Sequence, residues 1–206
     1  MTQSDPAPSA RGAGGRALPA PRPSVARDRI LAAASRLFYT TGIRAVGVDR
    51  VIAESEVARM TFFRHFPTKD ALVVTFLMER ASAAQAELTQ IRTDDPNWPR
   101  AVLGAIAAGV TTEPGKEGFR GCEFINTAAE FCDPSHPARV AVDQHRAWIR
   151  DLLRDALAEL GHPTPETTAE LLLMLRTGAI VATSLEGFRD RDGAFERAWW
   201  RLVDEP

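Results

Sequence analysis

The chain is poor in several features that would each have pointed to a different class of protein. Its 206 residues hold two cysteines, Cys122 and Cys132. That is too few for a disulfide framework, so both read as free thiols. There is no uninterrupted apolar run of 18 residues. The nearest, "LLLMLRTGAIVATSL" (171–185), is broken by Arg176 and reads as a buried helix, not a membrane span. The first two dozen residues lack the apolar stretch of a secretory signal, so a soluble cytoplasmic protein without membrane partners is expected. No stretch alternates like a strand, and no segment repeats. Nucleophile elbows, phosphate-binding glycine loops and complete sets of metal ligands are missing too. These absences argue against an enzyme, and no metal or cofactor is expected. Lysine is nearly absent: 23 of the 25 basic residues are arginine, a bias that reads mostly as genome composition.

What is present is helical. With 45% apolar and 25% charged residues, the chain can build a real core. Its net charge of −2 hides an asymmetry. Residues 1–69 carry eleven Lys/Arg against five Asp/Glu, a net of +6, and residues 70–206 carry fourteen against twenty-two, a net of −8. A basic front end on an acidic body suggests that the front meets a polyanion.

Residues 1–23, with five prolines and three glycines, read as a disordered arm. Its Arg11, Arg16 and Arg22 either reach that polyanion or are simply solvated. Helical periodicity starts after Ser24, a candidate N-cap, and stops at Gly42. Short segments follow at Val48–Ser55 and Arg59–Phe66, separated by Glu56–Ala58. Thr68 then caps a long helix with Asp70 in its first turn. Further helices are expected after Asn97, through Phe124–Phe131, after "DPSHP" (133–137), from Pro165, and over Ala194–Leu202. The fold class is all-α, with about nine helices: a three-helix N-terminal unit (24–70) and a larger helical body (71–206), which the family resemblance given below makes the helix-turn-helix domain and the effector-binding and dimerisation domain.

Two short helices with a three-residue break on a basic background have the form of a helix-turn-helix. Arg59, Thr61 and Arg64 can face base edges, because arginine pairs with guanine and threonine offers a methyl or a hydroxyl. Phe62 and Phe66, four apart, can pin this short helix from behind with Val51, Val57 and Phe38. His65 and Lys69 can hold phosphates.

The stretch "VGVDRVIAESEVARMTFFRHFPTKDALV" resembles the DNA-binding domain of the TetR family of bacterial transcriptional regulators, most closely at Phe63-Arg64-His65-Phe66-Pro67-Thr68-Lys69. "RILAAASRLFYTTGIRAVGV" resembles the first helix of that family. The motif resemblance covers about residues 25–75. It implies DNA contacts from Arg44, Gly47, Val48, Arg59, Met60, Thr61, Phe63, Arg64, His65, Thr68 and Lys69. It also implies a repressor that binds a double-stranded palindromic operator and is released by a small-molecule effector. The pocket is expected among Trp98, Phe119, Phe124, Asn126, Phe131, Trp148 and Met174, with Glu130 as a second polar anchor. A homodimer is expected through the last two helices, at Leu172, Leu175, Gly178, Ala179, Ala182, Phe195, Trp199 and Leu202, where small residues permit close approach.

The sequence departs from the family pattern at three points. Glu56 replaces the turn glycine, Ala58 replaces a capping Ser or Thr, and Phe63 replaces a tyrosine that would offer phosphate a hydroxyl. Two other readings stay open. Cys122, beside Arg120, could be a redox or electrophile sensor, or the chain could be a helical DNA-architecture protein without an effector. Cys132 and His136 have a C-x₃-H spacing, but a helix start explains "DPSHP" equally well. His145 is expected on a polar helix face.

Overall fold

The computed structural model describes residues 24–112, 119–186 and 193–204. The proposed arm and most of the loop at 111–118 lie outside them. Among the described residues there are nine helices and no strand: α1 (Val25–Thr41), α2 (Val48–Ser55), α3 (Arg59–His65), α4 (Lys69–Asp94), α5 (Trp98–Thr112), α6 (Glu123–Glu130), α7 (Pro137–Glu159), α8 (Pro165–Glu186) and α9 (Ala194–Asp204).

The helix ends follow local chemistry. The Arg27 N–H donates to Ser24 Oγ at the start of α1, and the Ala71 N–H donates to Thr68 Oγ1 at 3.0 Å at the start of α4. These caps satisfy backbone donors that a helix leaves unpaired. α7 begins with Pro137, whose missing N–H costs nothing there. The preceding His136 accepts from the Ala138 N–H through Nδ1 at 3.2 Å. Gly161 closes α7 at φ 75°, and the His162 N–H reaches back to the Leu157 carbonyl at 3.0 Å, a left-handed C-terminal turn that suits glycine.

Two apolar cores form. The first joins α1–α3 and the opening turns of α4 to Phe124, Phe131, Ala138 and Val142. The second joins α5, the later turns of α7, α8 and α9 around the fully buried Leu103, Leu153, Leu172 and Trp199. α4 and α7 run past both, and Cys122 packs against both. Motion in the body can therefore reach the N-terminal helices through packed elements. Among the described residues α8 is the one helix long and apolar enough to cross a membrane. Here it is a core helix: Ala169, Leu172, Leu173 and Ile180 are buried against its neighbours.

Candidate nucleic-acid interface and effector body

α3 has only seven residues, too few to hold its shape without tertiary support. Phe62 and Phe66 supply that support. Both are buried in the first core with Phe38 and Val51, and their rings lie 6.2 Å apart. Val57 packs against the same cluster. With the inner face fixed, the other face points to solvent. Arg59 and Arg64 are exposed, Met60 is 81% exposed, Phe63 is 36% exposed, and Thr61 is half-buried. This face carries the residue types that read a major groove. Arg44 and Gly47, before α2, and Thr68, before α4, are also exposed, and Val48 is half-buried.

The side chains of this face are ordered by one another. Arg59 pairs with Asp49 of α2 and lies over the Phe63 ring at 5.3 Å. Phe63 meets Phe62 edge-on at 5.2 Å. His65 is half-buried and its Nε2 hydrogen-bonds the Ser24 hydroxyl at 3.3 Å. Lys69 is half-buried too. Burial pushes its ammonium below the usual lysine range, and Glu130 and Asp70 push it back up.

The departures from the family pattern have local consequences. Glu56 sits at φ 51°, in the left-handed region, and its carboxylate pairs with Arg29 at 2.5 Å. A side chain in this conformation costs very roughly ~1 kcal/mol, and an exposed ion pair returns no more than about that. Ala58 makes no side-chain cap at the start of α3. Phe63 has no hydroxyl to offer at a position open to solvent.

α6 fastens this unit to the body. Both carboxylate oxygens of Glu130 accept backbone N–H groups in the turn between α1 and α2: Ile43 at 2.9 Å and Arg44 at 2.6 Å. Gly42, at φ 96°, makes room for that carboxylate, since a Cβ there would lie 3.2 Å from Glu130 Oε1. Arg44 lies over the Phe131 ring at 5.5 Å. Just before α6, Tyr39 Oη donates to the Gly121 carbonyl at 3.2 Å and accepts from the Arg120 N–H at 2.9 Å. The Arg120 guanidinium bonds the Thr40 carbonyl. These contacts carried no sequence signal, because each joins residues some 80 positions apart.

Several expected pocket positions make contacts within the protomer. Glu130, expected as a polar anchor for a ligand, accepts with both oxygens from the α1–α2 turn. Asn126 donates to the Arg120 carbonyl at 2.9 Å. With Glu130 it borders a cavity of about 10 Å³ between α1, α4 and α6, room for one water. Phe124 and Phe131 belong to the first core, whereas Trp98 and Trp148 pack against the second. Phe119 is half-buried at the edge of the described segment. Met174 is 58% exposed on the outer face of α8. The seven expected pocket residues thus divide between the two cores and the surface.

The expected dimer residues divide as well. Leu172, Phe195 and Trp199 are buried inside the protomer. Leu175, Ala179, Ala182 and Leu202 are half-buried, and Gly178 is exposed. The outward apolar stripe of α8 is Leu171, Met174, Gly178 and Leu185, the last 77% exposed. An apolarity pattern that covers nearly the whole helix cannot say which stripe faces in, and tertiary packing decides it.

Cys122 and Cys132 are free. Burial pushes the Cys122 thiol up, with Arg176 pulling it only partly back. The thiolate that a sensor needs is thereby disfavoured. His136 stacks on Phe131 at 4.4 Å besides capping α7, which accounts for the C-x₃-H spacing. His145 is not on a polar face. It is 6% exposed, stacks on Phe124 at 3.8 Å, and its pKa is pushed down to about 4 by burial first and by Arg176 and Arg146 next. Arg176, which in the sequence merely interrupts an apolar run, lies inside beside it.

Comparison with known proteins agrees with this arrangement. The family described as bacterial regulatory proteins, tetR family, matches residues 30–75. SCO4454, a TetR-family transcriptional regulator from Streptomyces coelicolor, is 37% identical. It superposes with a TM-score of 0.74 over 87% of this chain and 92% of its own. A TetR-type transcriptional regulator from Streptomyces avermitilis is 25% identical, with a TM-score of 0.77 over 87% of this chain and 96% of its own. The HTH-type transcriptional repressor NemR of Escherichia coli is 25% identical over 132 residues, 64% of this chain and 66% of NemR.

Proposed function

The chain belongs to the TetR family of bacterial transcriptional regulators, and from that premise we propose that it is a cytoplasmic repressor. It binds a palindromic operator as a homodimer and leaves it when a small-molecule effector occupies the helical body. The observation that carries this reading is the division of α3 into two faces. Phe62 and Phe66 are buried, and Arg59, Met60, Phe63 and Arg64 are exposed. Arg59 and Arg64 read base edges, Thr61 and Phe63 make apolar or methyl contacts, and Lys69, Thr68 and the open N–H groups at the start of α2 hold phosphates.

A second copy fits the outward stripe of α8. Leu171, Met174 and Leu185 leave apolar area exposed, and Gly178 has open space where a Cβ would stand. Pairing α8 and α9 with their copies would place two recognition helices about one DNA turn (~34 Å) or a multiple apart. The 24–70 region then does the reading, and residues 71–206 do the dimerising and sensing. The link between them is α6, whose Glu130 grips the turn that leads into α2. An effector that favours a body state in which this grip is displaced need differ in affinity between the two states by only a few kcal/mol to release DNA. The relative NemR is named a repressor, which supports the sign of regulation.

Fluorescence anisotropy with duplexes tiling the DNA upstream of the coding region tests the reading. Salt-dependent binding confined to one palindromic duplex, weakened in Arg64→Ala, is expected. Equal affinity for every duplex would point to an architectural protein instead.

A further inference from the structure

α7 and α8 pack against each other, and their facing stripes are mostly apolar. On α8, Leu172, Ile180 and Thr183 are buried. Arg176 stands four residues from both Leu172 and Ile180, so it projects from the same inward face. Its Nε has no exposed surface and no hydrogen-bond partner, and among the described residues it makes no ion pair. On α7, His145 shares the buried stripe of Val142, Ile149 and Leu152. Its Nδ1 is likewise buried and unpartnered. Glu123, the carboxylate whose charge reaches Arg176, is held elsewhere by Arg80 at 3.4 Å. The neighbouring Arg146 donates only to the Thr177 hydroxyl at 3.4 Å and adds positive charge to the seam.

Arg176 is half-buried, with its Nε closed off from solvent, and a guanidinium drawn this far out of water without an ion pair is costly. Lysine or histidine could escape by losing a proton, but arginine cannot. A second unpartnered polar atom beside it makes an accident of packing a poor explanation. One partly desolvated guanidinium without an ion pair favours one negative charge, and its planar fork matches a planar group with two oxygens.

We propose that the α7/α8 seam at Arg176 receives the carboxylate of an apolar organic acid, with Arg176 gripping the oxygens, His145 donating a further hydrogen bond, and the apolar body lying against Phe124 and Ile180. The effector reading above supplies the link to regulation. Binding at Arg176 disturbs the Phe124–His145 stack, and Phe124 stands on α6, whose far end holds the Ile43 and Arg44 N–H groups. The body and the DNA-reading unit are thus joined through one short helix.

The test uses the full chain with benzoate, naphthoate and octanoate, each beside its uncharged primary amide, read by thermal shift and by release of operator DNA. The acids are expected to raise the Tm and the amides to leave it unchanged. Arg176→Met should lose the acid response. It should also raise the Tm without ligand by about 3 °C, because it removes a partly desolvated charge that has no ion pair. Arg176→Lys should recover part of the response, and Arg100→Met, at an exposed ion pair, should keep all of it. A panel without any acid-specific shift overturns the proposal, as does an acid response that survives Arg176→Met. Amides that stabilise the protein and release DNA as well as the acids do would leave the effector reading standing and remove the carboxylate assignment. Acids that stabilise through Arg176 without releasing DNA would keep the site and remove its role as an effector site.

Discussion

Arginines at the surface and inside the body are treated in opposite ways. On the DNA-reading unit, Arg29 pairs with Glu56, Arg36 with Glu54, and Arg59 with Asp49. Along the body, Arg100 pairs with Asp204 and Arg139 with Asp143. All of these are open to water, where a pair is worth about 0–1 kcal/mol. Arg176 sits where a partner would matter most, and it has none. The surface charges are answered within the chain, whereas the half-buried Arg176, its Nε closed off from solvent, has no ion-pair partner among the described residues. The surface pairs exchange readily for phosphate or base edges. The interior charge is the one assigned above to a ligand carboxylate.

The contrast can be broken first at the packing that supports the surface. Phe62→Ala empties a fully buried site and should cost about 3–5 kcal/mol, seen as a lowered denaturant midpoint together with lost operator binding. Next is the joint between the two regions. Glu130→Gln leaves one acceptor oxygen for two backbone N–H groups and removes the charge. It should cost about 1–3 kcal/mol and weaken the response of DNA binding to any effector, read from titrations with and without ligand. Arg64→Ala should lower operator affinity by about 1–3 kcal/mol and relax preference at a single base position, as a competition series with operator variants would reveal.

The interior can also be sharpened by pH. The folded pKa of His145 is about 4, below its ordinary 6.5, so the unfolded chain takes up this proton first. Its contribution to stability is complete above pH 6.5 and is lost as the pH falls toward 4. Denaturation curves across that range should be less pH-dependent in His145→Gln than in the parent chain. The smallest expected effect is at the surface: Phe63→Tyr adds a hydroxyl at an open position and should tighten operator binding slightly at fixed salt.

The sequence is informative where structure is local. The caps at Ser24 and Thr68, the stop at Gly42, and the anchoring pair Phe62 and Phe66 all follow from spacing within a few residues, and the helices form accordingly. The left-handed turn at Glu56 follows as well, because the family pattern places a glycine there. What depends on the partner of a helix was not legible. Leu172, Phe195 and Trp199 have the right period for an interface but pack inward, since α8 and α9 have apolar residues on more than one side. The Glu130 clamp joins side chains to turns more than 80 residues away. His145 and Arg176 look like polar interruptions until α7 and α8 are set face to face. The one readable signal for Arg176 was its place four residues from Leu172 and Ile180, on a single stripe.

Hydroxyl-radical footprinting on the upstream DNA tests the central claim most directly. The account predicts two protected half-sites related by a palindrome, about one helical turn (~34 Å) or a multiple apart, with protection lost in Arg64→Ala. Uniform protection along the fragment, or a footprint indifferent to Arg64, would contradict it.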